Sequence, residues 1–139
     1  MTKHRFSVDK LIRDKLPQIM ASAGILVSHR VMDDAEYDEK LRKKLLEEAD
    51  EVLAAVGPRE IQEELADVLE VLMALTHLHD LDFSQVVAAA AQKKEEKGGF
   101  QDRIGLDYVE MSHDHAMVPY YRARPKAYQE IDPEMTCKI

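Results

Sequence analysis

Nine carboxylates and a single base, Arg59, lie between Glu47 and Glu70. Within that run, Glu47-Glu48-Ala49-Asp50-Glu51 is followed, after twelve residues, by Glu64-Leu65-Ala66-Asp67. Residues three apart on a helix are surface neighbours, so Glu48 projects with Glu51, and Glu64 with Asp67. Same-helix pairs such as Glu47/Glu51, Glu60/Glu64 and Glu63/Asp67 each cost roughly 0.2–0.5 kcal/mol even in water. Burial raises that cost unless a cation is present or the groups take up protons. An all-oxygen donor set without His or Cys suits Mg²⁺, Mn²⁺ or Ca²⁺ and not Zn²⁺ or iron. Mg²⁺ keeps waters and engages phosphates, so phosphoryl or pyrophosphate chemistry is its natural use. The other acids of the run, Asp50, Glu60, Glu63 and Glu70, read as a solvated face, with Glu60 and Glu63 also near a helix N-terminus whose dipole favours them.

Two helices must hold this arrangement. Asp33 with Glu36 resembles a capping box, and Tyr37, Leu41, Leu45, Ala49, Val52 and Val56 recur at helical steps after it. Gly57 ends that helix and Pro58 suits the first turn of the next, whose buried stripe is expected to be Ile61, Leu65, Val68, Leu72 and Leu75. Glu51 and Glu64 are each six to seven residues from the turn, or ~10 Å along the axis, so the two pairs face each other at matching height. Glu48 falls at the border of its apolar stripe and Glu64 inside the edge of its own. Asp82 and Gln85 start a third helix that runs to about Lys97 and stops at Gly98-Gly99. A short helix around Pro17 precedes Gly24; Ile25–Met32 and Ile104–Met111 read as extended. The expected fold is all-α: a helical hairpin plus a third helix, with short extended segments. Residues 1–112 form the domain and 113–139, with three prolines and three tyrosines, an irregular arm of it.

The 139 residues suffice for one domain with a core. The net charge of -8 is held entirely by residues 47–70; the remainder is neutral. That balance disfavours nucleic acid polymers and anionic membranes as partners. No apolar run approaches a membrane span, the start has no signal-peptide pattern, and the lone Cys137 excludes a disulfide framework. A cytoplasmic protein with one free thiol on a frayed tail is expected.

The pattern E-E-x-x-E, a gap, then E-x-x-D resembles the signature of the all-α nucleoside triphosphate pyrophosphohydrolases, the MazG-like superfamily. Two further matches point to its phosphoribosyl-ATP pyrophosphohydrolase-like branch. Lys10-Leu11-Ile12-Arg13-Asp14-Lys15-Leu16-Pro17 is similar to that branch's K-L-V-R-D-K-I-P opening, and Lys97-Gly98-Gly99-Phe100 with Arg103-Ile104 to its K-R-G-G-F close. The three motifs in order span roughly residues 8–106. The resemblance implies Mg²⁺-dependent hydrolysis of a noncanonical or surplus nucleoside triphosphate to monophosphate and pyrophosphate, with Mn²⁺ a possible substitute. It implies Glu48, Glu51, Glu64 and Asp67 as metal ligands and Glu47 as the remaining motif acid, orienting water or completing the shell. Proton removal falls to Glu47 or Glu48, and spacing alone does not choose.

Phosphates also need cations. Arg13 and Lys15 come from the N-terminal motif, and Lys94, Lys97 and Arg103 from the third helix and its exit; Lys93, Lys94 and Lys97 also suit a helix C-terminus. The chain has neither Asn nor Trp, which some relatives use to read or stack a base. Phe6, Tyr37, Phe83 and Phe100 remain as aromatic candidates, each fitting a core position. His77 and His79 fit helix-end caps, and His113-x-His115 is a weak transition-metal pattern. One apolar face is left to cover, and family members cover it by pairing subunits, so at least a homodimer is expected. The rival activities are phosphoribosyl-ATP hydrolysis in histidine synthesis and a non-catalytic helical regulator that binds a basic partner through its acidic face. A ferritin-like di-iron centre lacks its paired E-x-x-H motifs here.

Overall fold

The Asp33 side chain accepts the Glu36 backbone N–H at 2.9 Å and starts helix α2, Asp34–Ala54. Glu36 does not return the bond as a full capping box would; its carboxylate is held by Arg30 at 3.0–3.2 Å. These features belong to a computed structural model that describes residues 2–134; Cys137 lies outside the described residues. Ahead of α2 stands α1, Leu16–Ser22, with Pro17 in its first turn and Gly24 beyond its end at φ +80°. Helix α3, Gly57–Leu78, follows α2 after only Ala55 and Val56. Gly57 adopts φ +80°, a conformation that costs an L side chain roughly 1–2 kcal/mol, and it reverses the chain there. Glu60, read from the sequence as part of a solvated face near the helix N-terminus, also accepts the Val56 N–H at 2.7 Å.

The reversal makes α2 and α3 an antiparallel pair. At its far end His79 Nε2 lies 2.6 Å from Asp38 Oδ1, closing the end of α3 onto the start of α2. Helix α4, Phe83–Lys97, begins with a reciprocal box: Asp82 accepts from Ser84 N at 2.9 Å, and Gln85 accepts from Asp82 N at 3.2 Å. It packs on α3 and ends at Gly98, φ +83°. The architecture is all-helical, with no strand among the described residues. Residues 25–32 and 104–111, expected to be extended, join no ladder. No helix is long and apolar enough to cross a membrane among the described residues.

The chain divides after Lys97 into two compact units. In the first, Leu41 (2% exposed) and Val71 (6%) are the buried apolar side chains among the described residues. Here the expected α3 stripe needs correction: Ile61, Leu65 and Leu72 are exposed, because α2 covers only one side of α3. The second unit contains helix α5, Val118–Arg122, where the sequence suggested irregular chain. Tyr120, Tyr121 and Tyr128 cluster there with ring centroids 4.8–6.1 Å apart, and Arg124 lies over Tyr120. Arg122 holds Glu130 by a forked pair at 2.7–3.3 Å.

Candidate active site

The tight turn at Gly57 brings the acidic stretch of α2 against the first turns of α3. Glu48 from α2 meets Glu64 and Asp67 from α3, and one carboxylate oxygen of each lies within 4.8 Å of the others. Glu48 is the most enclosed, only 8% exposed; Glu64 and Asp67 are half-buried. Partial burial pushes the Glu64 carboxyl above its ordinary range, and the neighbouring charges of Glu51, Asp67 and Glu48 push it the same way. Hard oxygen donors alone, converging and repelling one another, fit Mg²⁺, Mn²⁺ or Ca²⁺. Glu51 stands outside this three-carboxylate group and is exposed, yet its charge still reaches Glu64.

The chain supplies cations to the same acids. Lys44, one helical turn before Glu48, reaches Glu48 at 3.0 Å and Glu47 at 3.2 Å. Burial opposes the Lys44 charge, but the hydrogen bonds with Glu48 and Glu47 outweigh it and raise the ammonium above its usual value. Lys10 reaches Glu47 at 2.9 Å. That contact, helped by Lys44, holds the Glu47 carboxyl below its usual range against the effect of burial. Arg13 pairs with Asp67 through its Nη2. The N-terminal segment is thereby folded back across the hairpin, and Lys40, 9% exposed, ties it down again through the Asp9 carboxylate at 3.1 Å.

A cavity of about 440 Å³ opens beneath this segment, with Arg13, Lys15, Lys44, Glu48 and Asp67 on its wall. Glu70, expected on a solvated face, lines it too. Of the cations anticipated from the sequence, Arg13 and Lys15 are therefore at the site. Lys94 and Lys97 occupy the last turn of α4 and make no ion pair with the cluster among the described residues. Arg103 belongs to the second unit, at φ +57°. Lys10 and Lys44 were missed as site residues. For Lys44 the signal was present: K-x-x-E-E places one ammonium within helical reach of both acids.

Residues 37–98 match the family model of the MazG nucleotide pyrophosphohydrolase domain. That segment begins at Tyr37 on α2, ends just past α4, and includes all five acids of the motif. The match agrees with the all-helical architecture and with the MazG-like all-α superfamily. No curated protein and no solved structure matches the chain.

Proposed function

We propose that this chain, whose residues 37–98 carry the MazG nucleotide pyrophosphohydrolase domain, hydrolyses a nucleoside triphosphate to the monophosphate and pyrophosphate with the help of Mg²⁺. The observation that carries the reading is the convergence of Glu48, Glu64 and Asp67, two of which, Glu48 and Asp67, line a cavity that Arg13 and Lys15 line as well. Acids alone would repel a polyphosphate and cations alone would not hold a metal; the two together suit a metal–nucleotide complex.

Glu48, Glu64 and Asp67, with Glu51 beside them, would hold Mg²⁺, or Mn²⁺ as a substitute. Such an ion offsets phosphate charge and lowers the pKa of a bound water. The chain's own residues do the rest. Arg13 is paired with Asp67 and exposed enough to turn its fork toward a phosphate, for which its planar donors are suited. Lys15, on the same wall, adds a second phosphate cation. Lys10 and Lys44 keep Glu47 ionised, so it accepts a hydrogen bond from the attacking water and orients it. Attack on the α-phosphorus breaks its bond to the bridging oxygen, and pyrophosphate leaves with that oxygen. Such positioning and charge compensation are the main work of phosphoryl-transfer sites.

The protein also acts as at least a homodimer in this reading. Leu65, Leu69 and Met73 on α3 are 45–51% exposed, an apolar face that a second copy would cover. Light scattering during gel filtration should give at least twice the 15.9 kDa chain mass.

The deciding experiment is a panel of ordinary and noncanonical nucleoside triphosphates scored for pyrophosphate release with Mg²⁺. Turnover should fall at least 100-fold in Glu64→Gln, the order expected when an electrostatic group at the reacting centre is lost. Folded wild-type protein that binds Mg²⁺ yet releases pyrophosphate from no nucleotide would overturn the assignment.

A further inference from the structure

The cavity that Glu48 and Asp67 of the acidic cluster line does not end at those two residues. On α2 its wall runs along one stripe, Glu48, Lys44, Leu41 and Tyr37, at steps of four, three and four residues. At 1.5 Å per residue the stripe extends roughly 16 Å from Glu48 to Tyr37. On α3 the wall runs the same way, from Asp67 through Val71 to Ala74. One pole therefore carries the mixed charges of Lys44, Glu48 and Asp67, and the other combines the ring of Tyr37 and the aliphatic Ile12 and Leu16 with two carboxylates, Asp14 and Glu70. Asp14 and Glu70 are the charged side chains that accompany Tyr37; their negative charges, after burial, hold the phenol above its usual range.

A cavity with this polarity takes an amphipathic ligand in one orientation. The volume of about 440 Å³ lies within the roughly 300–1,000 Å³ typical of small-molecule sites. The ring and aliphatic side chains suit a flat, weakly hydrated heterocycle, and the carboxylates, acceptors only, suit its N–H groups or sugar hydroxyls. We propose that the Tyr37 pole is the nucleoside subsite of the pyrophosphohydrolase, with Tyr37 stacking on the base and Asp14 and Glu70 accepting hydrogen bonds from the nucleoside. The proposal rests on the function argued above, because the cluster of Glu48, Glu64 and Asp67 sets which pole receives the phosphates. It makes Tyr37 and the Asp14/Glu70 pair the specificity determinants and disfavours nucleosides that offer only acceptors at that end. Triphosphate without a base would engage only half of the cavity.

Binding of nucleoside monophosphates (AMP, GMP, CMP and UMP) and of inorganic pyrophosphate with Mg²⁺ should be measured by calorimetry on wild type, Tyr37→Phe and Tyr37→Leu. Stacking on an aromatic ring predicts a loss of roughly 5-fold to 100-fold in monophosphate affinity for Tyr37→Leu. Affinity returns in Tyr37→Phe, and pyrophosphate affinity is unchanged in both. Leu keeps an apolar side chain in place, and a melting temperature within a few degrees of wild type shows that packing is preserved. Monophosphate affinity unaltered in Tyr37→Leu, with pyrophosphate release from triphosphates intact, overturns the subsite and leaves the function standing. Pyrophosphate and monophosphate affinities lost in parallel also overturn it, since Tyr37 would then act on the whole fold. Absence of turnover and of all nucleotide binding in wild type refutes the function itself.

Discussion

Replacing Lys44 by Met removes one ammonium while keeping most of the stem, and it isolates the part Lys44 plays at the acidic cluster. Glu48 is 8% exposed, and its salt bridge is with Lys44 at 3.0 Å. Exposed ion pairs contribute ~0.2–1 kcal/mol, whereas removing one partner of a fully buried pair costs ~3–5 kcal/mol. The Lys44 and Glu48 side chains are 19% and 10% exposed, so this pair lies between those limits and its loss should cost ~2 kcal/mol. For a chain of this length that is a fall of ~6–8 °C in melting temperature without metal. Mg²⁺ at 100 times its dissociation constant should stabilise wild type by ~2.7 kcal/mol. It should stabilise Lys44→Met by more, because no ammonium then competes for Glu48 and the ion supplies the missing counter-charge. The assay is thermal denaturation at pH 7.5 in EDTA and in a Mg²⁺ series. A variant that melts within 2 °C of wild type in EDTA would show that Lys44 does not satisfy Glu48. A Mg²⁺-induced shift no larger than that of wild type would refute the reasoning that lysine and metal serve the same carboxylate.

Three further outcomes follow from other contacts. Asp67→Asn should abolish most of the Mg²⁺-induced rise in melting temperature yet change metal-free stability by under ~1 kcal/mol, because the Arg13 pair is solvent-exposed; an undiminished Mg²⁺ shift would remove Asp67 from the site. Glu64, whose carboxyl is raised in the folded state, binds more protons folded than unfolded, so it lowers stability as pH rises through the interval above its ordinary value. Metal-free Glu64→Gln should therefore melt above wild type at pH 8, and the two should converge as pH falls toward 4.5; the opposite order at pH 8 would contradict the crowding of acids around Glu64. Asp33→Ala should cost ~1 kcal/mol, read as a lower urea midpoint with unchanged slope, because the α2 N-terminus loses its side-chain cap.

The local devices of the fold were legible in the chain itself because each is a short-range event. Asp82 and Gln85 form their box across three residues, Gly57 and Gly98 supply a left-handed conformation that few other residues adopt cheaply, and Pro17 starts α1. The pairing of Glu48 with Glu64 and Asp67 followed from the same logic, since a hairpin with a two-residue link leaves little freedom of register. The α3 stripe shows where that logic stops. Periodicity marks Leu65 and Leu72 as apolar-face residues, but whether such a face is covered depends on elements elsewhere, and α2 covers only part of it.

By itself, then, the sequence determined helices α1 to α4, the side-chain caps at Asp33 and Asp82 and the position of the acids, all properties set within a few residues. Only the tertiary structure decided which cations from outside the hairpin meet those acids. Lys10 and Arg13 lie 37 and 54 residues from Glu47 and Asp67, and no helical period connects them. Their meeting depends on the N-terminal segment folding back over the hairpin, anchored by Lys40 on Asp9 and by the partial burial of Leu11 and Ile12. The same return of the chain closes the cavity and sets Tyr37 at its far end. A contact of that kind arises from long-range packing and charge, so spacing along the chain carries no trace of it.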